Sequence, residues 1–427
     1  MSTSVAESPL SPAVRWRVVA LLMAFAALGH FNRVGISVAG SEVFIPKLGL
    51  SETGMGWVYT AFLIVYTLGM LPGGWSIDRI GSAQSLTIYG LTMGGFVVLT
   101  GALGWLTSRP ESLWVGLLVI RGCAGLCNAP LHPAAAHVVY DLVPLRSRAT
   151  ANGTVIAGAV IGIAFSYPAF GWLIDRMNWP LAFVVSGFML IGYSLLWRRI
   201  TLPITHGSAW NTASVTSSVT EVNTATPWDL LWNRNLWLLS LSYAAYGYFQ
   251  YLFFYWMDYY FKSVLHVPDV EARWASFWIM LAMGAGMAVG GMSTDFVCQR
   301  LGNALGRRSI VIFGMGFGAV FGLLGVNVTG QINVAMCLAI SMAALGMCEG
   351  VFWTCATDIG GKSRGFSGAF MNTGGNVGGL ISPVLTPVMA QQMGWPGAIT
   401  VACLIAALGG AVWFAIRFPE RDSIDFN

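Results

Sequence analysis

Gly73-Gly74-Trp75-Ser76-Ile77-Asp78 returns 217 residues later as Gly290-Gly291-Met292-Ser293-Thr294-Asp295. Two glycines, a serine and an acid keep their places, both times at the end of a second long apolar run. Working outward, Ser147-Arg148 is answered by Ser363-Arg364, and Met177-Asn178-Trp179-Pro180 by Met393-Gly394-Trp395-Pro396. Between them Gly158, Val160 and Gly162 match Gly375, Val377 and Gly379. One match could be chance, but four in order at an offset of 216 or 217 residues point to a duplication into two parallel units.

Composition says what the units are made of. Hydrophobic residues are 56% of the 427 and charged residues 9%, against roughly 25% charged in a soluble domain. Such a chain cannot solvate its own surface in water, so its solvent is lipid. A span needs about 20 apolar residues. Twelve segments qualify: 17–39, 54–77, 83–105, 112–139, 149–174, 179–198, 236–261, 272–297, 309–329, 332–357, 365–391 and 395–417. The expected fold is therefore an all-α membrane protein of twelve transmembrane helices in two six-helix halves. These are residues 1–200 and 231–427, joined by a Ser/Thr-rich cytoplasmic linker at 201–230. The first apolar run follows Arg15 and Arg17 with no small-residue cleavage site behind it, and reads as a retained span.

Charge placement orients the chain. With the N-terminus in the cytoplasm, fifteen Lys and Arg residues fall inside and five outside, which puts both termini in the cytoplasm of an inner or plasma membrane. The remaining two, Arg33 and Arg121, sit within spans. The seven cysteines form no C-x-x-C pair and no metal-spaced cluster with histidine, so neither a metal nor another cofactor is expected. No nucleic-acid partner is expected either. There is no H-E-x-x-H motif and no pair of acids spaced for intramembrane hydrolysis, which argues against an enzyme.

The motif G-G-W-x-x-D-R-x-G at Gly73 to Gly81, with its degenerate copy at Gly290, resembles the loop signature of the major facilitator superfamily. Within it, Phe31-Asn32-Arg33, the stretch from Tyr66 to Trp75, Arg121-x-x-x-Gly125 before Asn128-Ala129-Pro130, and the Asn372 to Pro383 glycine motif resemble the anion:cation symporter family. That resemblance covers the whole chain. It implies a carrier of small organic anions, a sugar acid or similar carboxylate in first place, with a site between halves that rock. It also implies that Arg33 and Tyr66 bind substrate, and that Asp78, Arg79 and Asp295 form a conformational latch. Proton-coupled members carry Asp and Glu where Asn32 and Asn128 stand here, so both usual proton sites are amides. A glutamine that binds sugar acids in some relatives aligns with Ala159.

The residues themselves support part of this. A buried arginine costs at least about 2.5–3.5 kcal/mol in mid-membrane and persists where water, a counter-charge or a substrate compensates it. Arg33 lies roughly 24 Å along the first helix and Arg121 roughly 14 Å along the fourth. The planar fork of Arg33 suits a carboxylate; Arg121 divides between substrate contact and a structural or coupling role. Tyr243, Tyr246 and Gln250 share a helix face and would suit substrate hydroxyls, or form an aromatic wall. Asn372 and Asn376, one turn apart, could join them. Among coupling candidates, Glu349 is either a relocated proton carrier or a fixed partner for an arginine. His132 is either a titrating imidazole or a helix contact. Proton or sodium coupling, anion exchange and facilitated diffusion all remain open at this point.

Overall fold

The computed structural model describes residues 11–107, 109–205, 227–360 and 364–417. Every regular element among them is helical. The chain divides into two compact units, Met1–Val222 and Asn223–Asn427. Most of the linker expected at 201–230 lies outside the described residues; the sixth helix runs on to Thr205, and Pro227–Trp232 is a short 3-10 turn.

In the first unit α1 is Pro12–Phe44, α2 Glu52–Ile80, α3 Ser82–Leu106, α4 Pro110–Leu142, α5 Leu145–Phe165 continuing to Met177, and α6 Trp179–Thr205. In the second, α7 is Arg234–Tyr259 with a final turn to Val264, α8 Asp269–Leu301, α9 Asn303–Asn327 and α10 Gln331–Gly360. The rest is one helical segment, Arg364–Ala411, broken at Gly394 into α11 and α12. Ten helices among the described residues are long and apolar enough to cross a membrane. Dividing the last at Gly394 and adding α7 is in keeping with the twelve expected. Helix α7 falls short on hydropathy because it carries six tyrosines and two tryptophans, whose rings are largely apolar whatever their polar tips contribute.

Large apolar side chains face outward where a soluble protein would place charge: Leu68 is 71% and Leu106 79% exposed. This suits a helix whose backbone polar groups are satisfied internally and whose surface meets hydrocarbon. The interior is built instead on close approach between small residues. A Cβ on Gly158 or Gly162 of α5 would strike the carbonyls of Met23 or Ala27 in α1. In the second unit Gly374 and Gly378 of α11 lie in the same way against Ser240 and Ala244 of α7. Packing thus pairs Gly158 and Gly162 with Gly374 and Gly378, one residue earlier than the sequence match suggested.

The duplication is written into the backbone. Positive φ recurs at Gly49 and His266, at Gly81 and Gly302, and at Asn178 and Gly394. The last pair share φ 74 and ψ 164. Helices α1 and α7 both end in a π turn, Gly40–Phe44 and Tyr260–Val264. Helix α4 breaks at residues 129–130 and α10 at 347–348. The π turn carries α1 beyond its expected end and buries Glu42 (5% exposed). Buried Asp258 near the end of α7 pairs with Lys262 at 2.7 Å.

Asn178 occupies a region that is nearly exclusive to glycine, at about 1–3 kcal/mol of strain. Its Oδ1 accepts from Leu181 N at 3.2 Å and caps α6. Exchanging it for the glycine of the other repeat relieves the strain and loses only a few tenths of a kcal/mol of capping. Asn178→Gly should therefore raise the melting temperature in detergent, by about 1 kcal/mol of stability. Asn178→Ala, which keeps the strain and loses the cap, should lower it by about 1 kcal/mol.

Candidate functional site

The interior of the first unit is organised around Phe62. Gly125 lies so close to α2 that a Cβ there would strike the Phe62 carbonyl. One turn earlier on α4, Arg121 consequently reaches over the Phe62 ring, 4.6 Å from its centroid. The glycine of R-x-x-x-G is thus the condition for seating its arginine. Arg33 of α1 approaches the same ring at 5.2 Å and the Tyr66 ring at 5.5 Å. Phe62 and Tyr66, one turn apart on α2, stand nearly parallel at an interplanar angle of 11°. Arg121 Nη2 also donates to the backbone carbonyl of Arg33 at 3.0 Å. A desolvated cation–π contact is worth about 2 kcal/mol and a charge-assisted hydrogen bond about 1.5–3 kcal/mol. For Arg121 these together offset a cost of about 2.5–3.5 kcal/mol at the helix centre.

Both amides at the positions of the family's acids are buried. Asn32 Nδ2 donates to Leu28 O at 2.9 Å, while Oδ1 of Asn32 and Oδ1 of Asn128 have no hydrogen-bond donor. Unsatisfied buried oxygens are rare enough to require a reason. His132, just past the break in α4, meets His30 of α1: the rings are 5.1 Å apart and the two Nε2 atoms 3.4 Å apart. Sequence reading missed Phe62 and His30. Each lies one turn before a residue the sequence singled out, His30 before Arg33 and Phe62 before Tyr66, but that spacing names no partner on another helix.

The second unit repeats this plan with different chemistry. At the same 217-residue offset, Gln250 stands where Arg33 does and Glu349 where His132 does. Gln250 Nε2 lies 3.7 Å from Met283 Sδ of α8, which stands at the position of Tyr66, and a Cβ on Gly346 would strike the Met283 carbonyl. Glu349 opens the second segment of α10 and accepts from Tyr243 Oη at 2.8 Å and Trp353 Nε1 at 2.9 Å. Its Oε2 has no hydrogen-bond donor of normal length. The Tyr243 and Tyr246 rings stack at 5.3 Å, and both rings contact Phe352. Among the described residues no arginine or lysine of this unit forms an ion pair with Glu349.

Asn372 is half-buried and Asn376 buried on α11, on the segment whose glycines meet α7. A Cβ on Gly375 would stand 2.6 Å from the Tyr243 ring, and one on Gly379 2.9 Å from the Tyr251 ring. The glycine motif therefore seats the tyrosines of α7. Arg79 and Asp295 are exposed at helix ends, and the side chain of Asp78 lies outside the described residues. No ion pair joins Asp295 to a described residue. Among the described residues, Arg307 and Asp358 form an ion pair at 2.6 Å between α9 and α10. No group of three His, Cys, Asp or Glu side chains that could hold a metal comes together among the described residues.

A family model described as the Major Facilitator Superfamily matches residues 19–359 and 294–426. The chain belongs to the Major Facilitator Superfamily. As a member it is a multi-pass membrane protein. It is 27% identical over 83% of its length to a protein of Cupriavidus necator named as a probable sulfoacetate transporter, 82% of which is covered. It is 26% identical over 92% of its length to the D-galactonate transporter of Escherichia coli O6:H1, 94% of which is covered. A probable galactarate/D-glucarate transporter of Bacillus subtilis is 26% identical, with 87% of this chain and 85% of that protein covered. The crystal structure of a bacterial homolog of the human lysosomal transporter Spinster matches at a TM-score of 0.77 and 16% identity. That match covers 95% of this chain and 98% of that one, and supports the superfamily's fold.

The glycine seam is directly testable. Gly378→Val should cost about 1–3 kcal/mol or more through overpacking against Ala244. Val377→Ala, on the exposed face one residue away, should stay within about 0.5 kcal/mol. Thermal unfolding in detergent compares them.

Proposed function

We propose that the chain is a secondary carrier of small organic acids, a sugar acid or similar carboxylate in first place, which works by alternating access with Arg33 as ligand of the acid group. The observation that carries this reading is the convergence of Arg33 and Arg121 on one buried ring, Phe62. Two guanidinium groups gathered in an apolar interior suit an anion, and the arginine fork suits a carboxylate or sulfonate. The relatives' names agree on chemistry: galactonate, glucarate and sulfoacetate are all small organic acids. The donor-less amide oxygens of Asn32 and Asn128 suit the hydroxyls of a sugar acid, each of which needs a partner once water is excluded.

Tyr66, Tyr243, Tyr246, Gln250, Asn372 and Asn376 complete the proposed set of substrate-facing polar groups. A second reading of Glu349 as a proton carrier is favoured by its donor-less Oε2. Asp78, Arg79 and Asp295 serve as a latch in this proposal, and the Arg307–Asp358 pair adds a second charged contact of that kind. The excess of fifteen basic residues over five supports cytoplasmic termini, and the repeat at 216 or 217 residues supports halves of 1–200 and 231–427 around the linker.

Arg33→Ala should weaken D-galactonate binding by about a hundredfold or more, equivalent to about 2.7 kcal/mol, while the melting profile stays cooperative. Arg33→Lys should lose at least about tenfold, since an ammonium cannot reproduce the fork. Unchanged affinity in a folded Arg33→Ala variant would remove Arg33 from the site.

A further inference from the structure

We propose that the end of the second unit at which α7 and α9 begin and α12 finishes binds the headgroup of one anionic phospholipid, with Arg234, Arg308 and Arg417 as its ligands. The three arginines come from distant stretches of sequence and are gathered by a knot of hydrogen bonds. Asn233 caps α7, its Oδ1 accepting from Asn235 N at 2.9 Å and Leu236 N at 3.2 Å. Asn235 then grips the chain beyond α12 in both directions. Its Nδ2 donates to Arg417 O at 2.7 Å, and its Oδ1 accepts from Arg417 N at 3.1 Å. Arg308 of α9 closes the knot by donating from Nη2 to Ile416 O at 2.8 Å. Arg234 precedes Asn235 and Arg417 follows Ile416, so all three cations are brought to one place. Arg307 and Arg308, adjacent on α9, meet different partners. Arg307 pairs with the Asp358 carboxylate, whereas the carbonyl that Arg308 meets takes one of its five N–H groups and cancels none of its charge. Arg308 Nε is buried without an acceptor among the described residues. Arg234 and Arg417 are exposed, and the knot engages the backbone of Arg417, which leaves its guanidinium group out of those bonds.

The side chains between these charges and the apolar bundle decide what the charges bind. Trp232 is 90% and Phe414 69% exposed, and Trp237 is exposed as well. Trp237 Nε1 donates to Leu231 O at 2.7 Å, which folds the 3-10 turn Pro227–Trp232 back on α7 and sets Trp232 beside Arg234. Trp237 lies three residues further into the bundle than Arg234, and Phe414 three residues further in than Arg417. Each charge therefore stands on the water side of an exposed ring. Cation outside and ring inside is the order of a headgroup above its acyl chains, and indole rings favour that level of the bilayer. A soluble phosphate would satisfy the arginines and leave the rings bare, whereas a lipid satisfies both. The guanidinium fork matches a phosphodiester. A zwitterionic headgroup would bring its own cation against three like charges, so the site selects a lipid of net negative charge. A lipid held there ties together the first, third and last helices of the unit.

The test is native mass spectrometry of the full chain purified in detergent, with phosphatidylglycerol or phosphatidylcholine added, and melting curves of the same samples. Phosphatidylglycerol should be retained in preference to phosphatidylcholine and should raise the melting temperature. Arg234→Gln and Arg417→Gln should each weaken its binding by about fivefold, as expected for one basic residue at the membrane surface. Both variants keep the knot, so their folding is not at issue, and Arg308→Gln should weaken binding at least as much. Arg300→Gln lies outside the knot, with its guanidinium over Phe296 at 4.2 Å, and should bind phosphatidylglycerol as the wild type does. Equal retention of the two lipids would overturn the proposal, as would unchanged phosphatidylglycerol binding in the Arg234→Gln, Arg417→Gln double variant. Glycerol 3-phosphate that stabilises the wild-type chain as much as phosphatidylglycerol would assign the cluster to a soluble phosphate and overturn the lipid. Residues 418–427 carry Glu420, Asp422 and Asp425. Lipid selectivity that emerges only when this segment is deleted would make the chain's own acids the occupant and equally overturn the proposal.

Discussion

Two guanidinium groups inside an apolar helix bundle are the constraint on which the rest of the first unit depends. Each would be expelled toward water unless aromatic faces and carbonyls replaced the lost hydration. Phe62 does this for both, and it can do so only because Gly125 lets α4 lie against α2. The charged site and the packing around it are therefore one feature: enlarging the glycine would displace the arginine. The same logic runs through the second unit, where Gly375 of α11 seats Tyr243, which donates to Glu349.

The two units show how duplication separates fold from chemistry. Backbone conformation is preserved at Gly49 and His266, at Gly81 and Gly302, and at Asn178 and Gly394, even where the side chains differ. Breaks in α4 and α10, π turns ending α1 and α7, and glycine contacts between first and fifth helices of each unit recur as well. The side chains placed on this frame have diverged: Arg33 against Gln250, Tyr66 against Met283, His132 against Glu349. One unit carries cationic and imidazole groups and the other a carboxylate ringed by aromatic donors, so the common frame serves different chemistry.

Much of the fold was legible in the sequence because lipid imposes a strong one-dimensional signal: runs of apolar residues, basic loops and a repeated motif. What stayed hidden depended on side chains meeting across helices. Nothing in the spacing of Arg121 and Gly125 names Phe62 as their target, and His30 gains meaning only once α4 brings His132 to it. Helix ends also escaped, since a π turn extends α1 past Ala39 and carries Glu42 into the interior. The tyrosine face of α7 was visible as a pattern, but its division between Glu349 and Met283 was not. Asp295 was legible as a latch candidate from its motif, while the Arg307–Asp358 ion pair carries no motif of its own.

The central claim is that the interior selects an acid group through charge. The most direct measurement compares equilibrium binding of D-galactonate with that of its uncharged relatives, D-galactose and D-galactonamide, to the purified wild-type chain. Recognition by arginine predicts that the acid binds at least about tenfold more tightly, a difference of about 1.4 kcal/mol, and that added salt narrows the gap only slightly because the site is buried. Equal affinity for the acid and the neutral amide would contradict it.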